Sequence, residues 1–150
     1  MSSQSRRVAG VLLILLPTVM YGGFTILQFM INDPSYMQNA LRQDLLRAGH
    51  AHAGVFLILS LVALMYVDQA NLSAGLKWLV RIAIPTAAIL MPAGFFLSVV
   101  KPDATAPNEF INLVYAGAIV LAIGVLLLGI GLVSGRTKKQ LYGNDDHVAQ

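Results

Sequence analysis

The sequence predicts an all-α polytopic membrane protein, and three observations carry that expectation. Charged residues make up only 11% of the 150 positions, less than half of the roughly 25% found in a soluble domain. They are missing altogether from Val8–Asn32, Ala48–Val67, Ile82–Val100 and Phe110–Gly135, runs of 25, 20, 19 and 26 residues. A helix needs about 20 apolar residues to cross about 30 Å of hydrocarbon, and all four runs reach that length. Cysteine is absent, which excludes a disulfide scaffold. The expectation is one membrane domain over 1–150, with spans near 8–31, 48–67, 79–100 and 109–134. A short interfacial helix is expected in the first external loop. A formal net charge of +3 is too small a basic surplus for a nucleic-acid partner.

The first span follows Arg6 and Arg7, which suit the basic start of a secretory signal. The apolar run then continues through Pro17 and Gly22-Gly23 to Ile31, longer than a signal requires, so a retained helix is expected. Basic residues set the orientation. Arg6, Arg7, Lys77, Arg81, Arg136, Lys138 and Lys139 fall on the side of both termini and the second loop, against Arg42, Arg47 and Lys101 opposite. Both termini are therefore expected in the cytoplasm, in a bilayer such as a bacterial inner membrane.

The loops follow from turn chemistry. Asn32-Asp33-Pro34 is a helix start, with Asp33 as cap and Pro34 at the first helical position. Met37, Leu41 and Leu45 recur every four residues behind it, which predicts the interfacial amphipathic helix. Trp78 is expected to anchor the second loop at the interface. Prolines 102 and 107 bound the last external loop. In the third span Pro85 and Pro92 lie two turns apart on one face, among Ala87, Ala88, Ala93 and Gly94, small enough to admit a helix or a flat ligand. Ala118 and Ala122 in the fourth span form a small-residue pair that reads as packing within the bundle, or as a seam between copies.

The chemistry available is narrow. No Asp, Glu, Lys or Arg lies deep in a span, so transport that relies on an ionisable group at membrane depth is not expected. With no Cys and with His147 in the tail, no metal cluster, phosphate loop or nucleophile triad is legible. What remains is Arg47-Ala-Gly-His50-Ala-His52-Ala-Gly54 at the start of the second span. Two residues apart means about 200° of helical rotation, so His50 and His52 point to opposite sides and cannot share one metal. The surrounding glycines and alanines leave room for a wide planar ligand, although on this segment alone interfacial histidines bonded to loop carbonyls are the favoured reading. In the first span Thr18, Tyr21, Thr25, Gln28 and Asn32 fall within one stripe of about 80°. Polar groups in a membrane helix are expected to face the interior, either lining a site with Thr86, Asn112 and Tyr115 or bonding helix to helix.

One buried histidine in an apolar bundle suits haem b: the iron takes a single axial imidazole, and Arg42 and Arg47 are cations at the membrane edge for its propionates. The layout then resembles the styrene oxide isomerase family, small haem-containing membrane enzymes that convert aryl epoxides to aldehydes. The residues that carry the resemblance are His52-Ala-Gly54, Gly94-Phe95-Phe96 with Ser98, and Pro107 with Glu109 ahead of a fourth span rich in small residues. The resemblance implies a homotrimer with haem b between protomers, His52 on the iron, and ferric iron acting as a Lewis acid on a hydrophobic epoxide. His50 and Arg47 are the further candidates for cofactor contact. Where the family keeps a substrate-orienting asparagine, aspartate and tyrosine, this chain has Ile58, Ala88 and Phe96 by ungapped comparison. The expected activity is isomerisation of a hydrophobic epoxide to a carbonyl compound. The alternatives are a non-enzymatic haem protein, as sensor or electron carrier, and a cofactor-free subunit of a membrane complex.

Overall fold

Ser2 starts the first helix, its hydroxyl accepting a hydrogen bond from the Ser5 N–H at 3.2 Å, and α1 runs over Ser3–Asn32. The computed structural model describes residues 1–143, with side chains described as far as Ser134; His147 and the side chains of Arg136, Lys138 and Lys139 lie outside that range. Asp33 then caps α2 (Pro34–Met37) by accepting from the N–H groups of Ser35 at 3.0 Å and Tyr36 at 3.1 Å. The hydrogen bond from the Ser35 side chain, followed by that from the Tyr36 N–H, holds the exposed Asp33 carboxyl below its usual range. Next come α3 (Ala40–Tyr66), α4 (Ala74–Ser98), a single 3-10 turn at Glu109–Ile111 and α5 (Asn112–Gly143). Four of these helices are long and apolar enough to cross a membrane. The all-α, four-span expectation holds.

The interfacial helix is where the structure departs. The pattern Met37, Leu41, Leu45 predicts one amphipathic helix, but α2 is a single turn and the chain breaks at Gln38–Asn39. Asn39 causes the break. Its side-chain oxygen accepts from the Arg42 N–H at 3.1 Å, and its amide donates to the Ala104 carbonyl at 2.9 Å in the last external loop. A new helix therefore starts at Ala40, and Leu41 and Leu45 become its first turns, packed on the buried Tyr36, Leu46 and Val99.

The spans form a row in which α1 packs on α3, α3 on α4 and α4 on α5. The central α4 has 50% of its apolar window buried, whereas outlying α1 has only 6%. Pro85 and Pro92 lie inside α4, which runs unbroken through both. Its contact with α5 is close because glycine supplies it: a Cβ on Gly94 would meet the Val114 backbone nitrogen at 2.8 Å. Gly117, Gly124 and Gly131, spaced by seven, present the same smooth edge to Met91, Ile84 and Leu72 respectively. Ala118 and Ala122 are exposed on the far side of α5, so that pair is not packing within the bundle of one chain.

Each end of the row is tied by polar contacts. At one end the Ser2 N–H donates to Asp68 at 2.6 Å, and Arg81 meets the same carboxylate at 2.6 Å. Arg81 Nε also donates to the fully buried Ser5 hydroxyl at 3.0 Å. Burial by itself would raise the Asp68 carboxyl, but the Ser2 N–H and then Arg81 outweigh it and hold the group down at about 2. The start of α5's last turns joins this end through the Asn71 N–H, which donates to the Gly131 carbonyl at 2.8 Å. At the other end Arg42 Nε donates to the Val99 carbonyl at 3.3 Å, and Asn108 bridges back to Leu97 at 2.9 Å.

Candidate functional site

The site is built on the first turns of α3, where small residues alternate with imidazoles. The rotation of about 200° between His50 and His52 sends them to different neighbours, as the sequence predicts. His50 faces α1. A Cβ on Gly23 would lie 2.9 Å from its Nε2, and one on Gly22 3.8 Å from its Nδ1. The Gly22-Gly23 pair is therefore what lets α1 approach an imidazole. This ring lines a cavity of about 380 Å3 between α1, α3 and α4, walled by Leu12, Leu57, Ile89, Pro92 and Phe96 among others.

His52 turns toward α4. Its ring centroid stands 5.1 Å from that of Phe95 and 5.2 Å, edge-on, from that of Phe56. Its Nδ1 lies 2.7 Å from the Ala48 carbonyl oxygen. A carbonyl can only accept, so Nδ1 carries the proton and donates; in the neutral imidazole the lone pair is then on Nε2. A shallow depression of about 150 Å3 opens beside it, lined by Ala51, Val55 and Phe56. Val55 and Ile58, on the outward face of the same helix, are each 59% exposed.

The two arginines part company. Arg47 is exposed and donates to Gln43 at 3.2 Å while reaching Met30 of α1, so it shares the side of His50 rather than that of His52. Arg42 is buried, with its guanidinium 5.9 Å from the Tyr36 ring centroid. Among the described residues its Nη1 and the Tyr36 hydroxyl have no hydrogen-bond partner. Sequence reasoning ranked Arg42 with the edge cations; its burial follows from the Tyr36 and Val99 contacts that the break at Asn39 creates.

The polar stripe of α1 is a correction. Apart from Thr18, which lines the His50 cavity, it is turned largely outward: Tyr21 is 70% exposed, Asn32 is exposed, and Thr25 and Gln28 are half-buried. These groups satisfy themselves locally, Thr18 on the Leu15 carbonyl at 2.7 Å, Thr25 on Tyr21 at 3.0 Å and Asn32 on Gln28 at 2.8 Å. A hydroxyl bonded back to its own helix needs no interior partner. Tyr115, expected to join the same cavity, is 63% exposed, and neither Thr86 nor Asn112 lines it. Of the three positions compared with the family's substrate-orienting groups, Ala88 and Phe96 line the His50 cavity and Ile58 faces outward. Among the described residues no three His, Cys, Asp or Glu side chains converge.

Fold and site together define a class: an α-helical protein whose four long apolar helices could span a membrane, with two oppositely directed histidines at one helix start. Compared with protein-family profiles, with curated proteins and with solved structures, the chain matches none.

Proposed function

We propose that the chain is a haem-b-binding integral membrane protein with His52 on the iron, and that it isomerises a hydrophobic epoxide to a carbonyl compound. The observation that supports this most is the Nδ1–Ala48 contact of 2.7 Å. A metal-binding histidine ordinarily donates its other ring nitrogen to a carbonyl or carboxylate, which fixes the tautomer and makes the ligating nitrogen more basic. His52 has that arrangement within its own helix, and Phe95 and Phe56 hold its ring plane.

The residues around it fit a macrocycle only in part. Ala51 and Val55 give it an apolar, uncrowded wall, but about 150 Å3 is far less than a ligand pocket of about 300–1,000 Å3. The outward face of Val55, Ile58 and Val62 would close over the group in a second copy of the chain, and a homotrimer is the closed assembly that the family resemblance favours. Arg47 lies on the α1 side of this helix, so it would reach a propionate only of a haem held by His52 of another copy of the chain. The bound haem would supply an iron Lewis acid toward an epoxide oxygen. The protein's own part is to hold a single imidazole, to keep the proton on Nδ1 and to exclude water with apolar side chains. Both termini would lie in the cytoplasm of a bacterial cell bounded by this inner membrane, following the basic residues.

The test is aldehyde formation from aryl and alkyl epoxides by oxidised and by dithionite-reduced protein. Turnover confined to the oxidised form is expected, and equal rates in both states would reject Lewis-acid chemistry. One observation favours a second reading, a haem protein without catalysis: Ile58, Ala88 and Phe96 bring no polar group to a substrate. Full haem loading with no aldehyde from any epoxide would select that reading.

A further inference from the structure

We infer that the cavity beside His50 is a binding site for a small apolar molecule carrying one carbonyl or hydroxyl oxygen, held through the His50 imidazole. This site lies across α3 from His52, and the inference stands whether or not His52 binds iron. Its size sets the class. About 380 Å3 lies at the lower end of the roughly 300–1,000 Å3 of ligand pockets, which suits a ligand of one or two rings, such as a bicyclic ketone or an aryl alcohol.

The walls set the polarity. Leu12, Val19, Leu57, Ile89 and Phe96 present hydrocarbon, and the only hydrogen-bonding side chains on the lining are His50 and Thr18. Thr18 already spends its proton on the Leu15 carbonyl. Among the described residues neither ring nitrogen of His50 has a hydrogen-bond partner, in contrast to His52. A neutral imidazole always has one N–H to give and one lone pair to receive, and half-buried polar groups in apolar surroundings are ordinarily bonded. Its surroundings explain why no protein group reaches it. Gly22 and Gly23 carry no side chain, and Ala53 and Ala88 end at Cβ. The Nε2–Cε1 side of the ring packs against Gly23, while Nδ1 lies beside Gly22, which lines the cavity together with His50; Nδ1 is therefore the nitrogen placed to act as the single orienting group of the pocket.

The experiment uses full-length protein in detergent micelles, with histidine labelled at the ring nitrogens. It is titrated with α-tetralone and, separately, with tetralin, the same skeleton without oxygen. α-Tetralone is expected to shift the His50 nitrogen resonances saturably and to leave those of His52 in place. His50→Leu is expected to weaken α-tetralone about tenfold, the worth of one hydrogen bond, and to leave tetralin unchanged. Retained tetralin binding shows that the variant is folded and its cavity open. His50→Gln, which keeps a donor, is expected to recover part of the loss. Absence of a saturable shift would overturn the inference. So would equal weakening of both ligands in His50→Leu, or an unchanged affinity for α-tetralone, since either means that the cavity takes hydrocarbon, as it would a lipid acyl chain, without using the imidazole.

Discussion

Replacing Asp68 by Asn removes one charge from the tie that joins the start of α1, the α3–α4 loop and α4, and its cost follows from the geometry. Asp68 receives the Ser2 N–H and the Arg81 guanidinium, each at 2.6 Å, and Arg81 is 5% exposed. Its carboxyl is held at about 2 against an ordinary 3.8. At about 1.4 kcal/mol per unit of pKa, the ionised form adds about 2.5 kcal/mol to folding, or about 60-fold in the folding equilibrium. Because the folded value is depressed, that contribution is complete above about pH 5, declines as pH falls through the unfolded value, and is lost below about 2. Thermal unfolding of the detergent-solubilised protein, followed by circular dichroism, reads this directly. At pH 6 Asp68→Asn is expected to melt about 5–10 °C below the parent, taking about 2–4 °C per kcal/mol for a chain of this size. The two curves should converge as the pair is acidified toward pH 2. Identical melting at pH 6, or a gap that persists at pH 2, would refute the assignment of the stability to the charged carboxylate.

Gly94→Ala would drive a methyl to within 2.8 Å of the Val114 nitrogen and is expected to cost about 1–3 kcal/mol by overpacking, measured by the same melts. Asn39→Ala removes both the α3 cap and the strut to Ala104. A loss of about 1 kcal/mol, with faster amide exchange at Ala104 and in the first turn of α3, should follow. Native mass measurement in a mild detergent is expected to show a trimer as the haem-loaded species; a fully loaded monomer would remove the shared interface from the account.

The four helices were legible because a bilayer leaves no choice: an uncharged run of 19 residues or more must satisfy its backbone internally, and a helix does so. Their ends were less legible, because Arg42, Asp44 and Arg47 sit in the first turns of α3 where a charge rule sees a loop. The opposed histidines followed from helical rotation alone. Which of them faces the bundle did not, since that depends on Gly22-Gly23 and Phe95, brought in from other helices. The smooth edge of α5 was present in the sequence as Gly117, Gly124 and Gly131, a period of seven that a search for pairs four apart passes over. The polar stripe misled because Thr18 and Thr25 can bond to their own helix, an option that a wheel projection does not weigh. The Ser2–Asp68–Arg81 tie joins residues 66 and 79 positions apart and has no local signature at all.

The proposed iron ligand is His52, oriented by the Ala48 carbonyl. This assignment is tested most directly by the optical spectrum of the protein purified after expression with haem supplied, for the parent, His52→Ala and His50→Ala. A strong Soret band is expected in the parent and in His50→Ala, and its loss in His52→Ala. A parent without a Soret band, or a band lost in His50→Ala and kept in His52→Ala, would contradict the assignment.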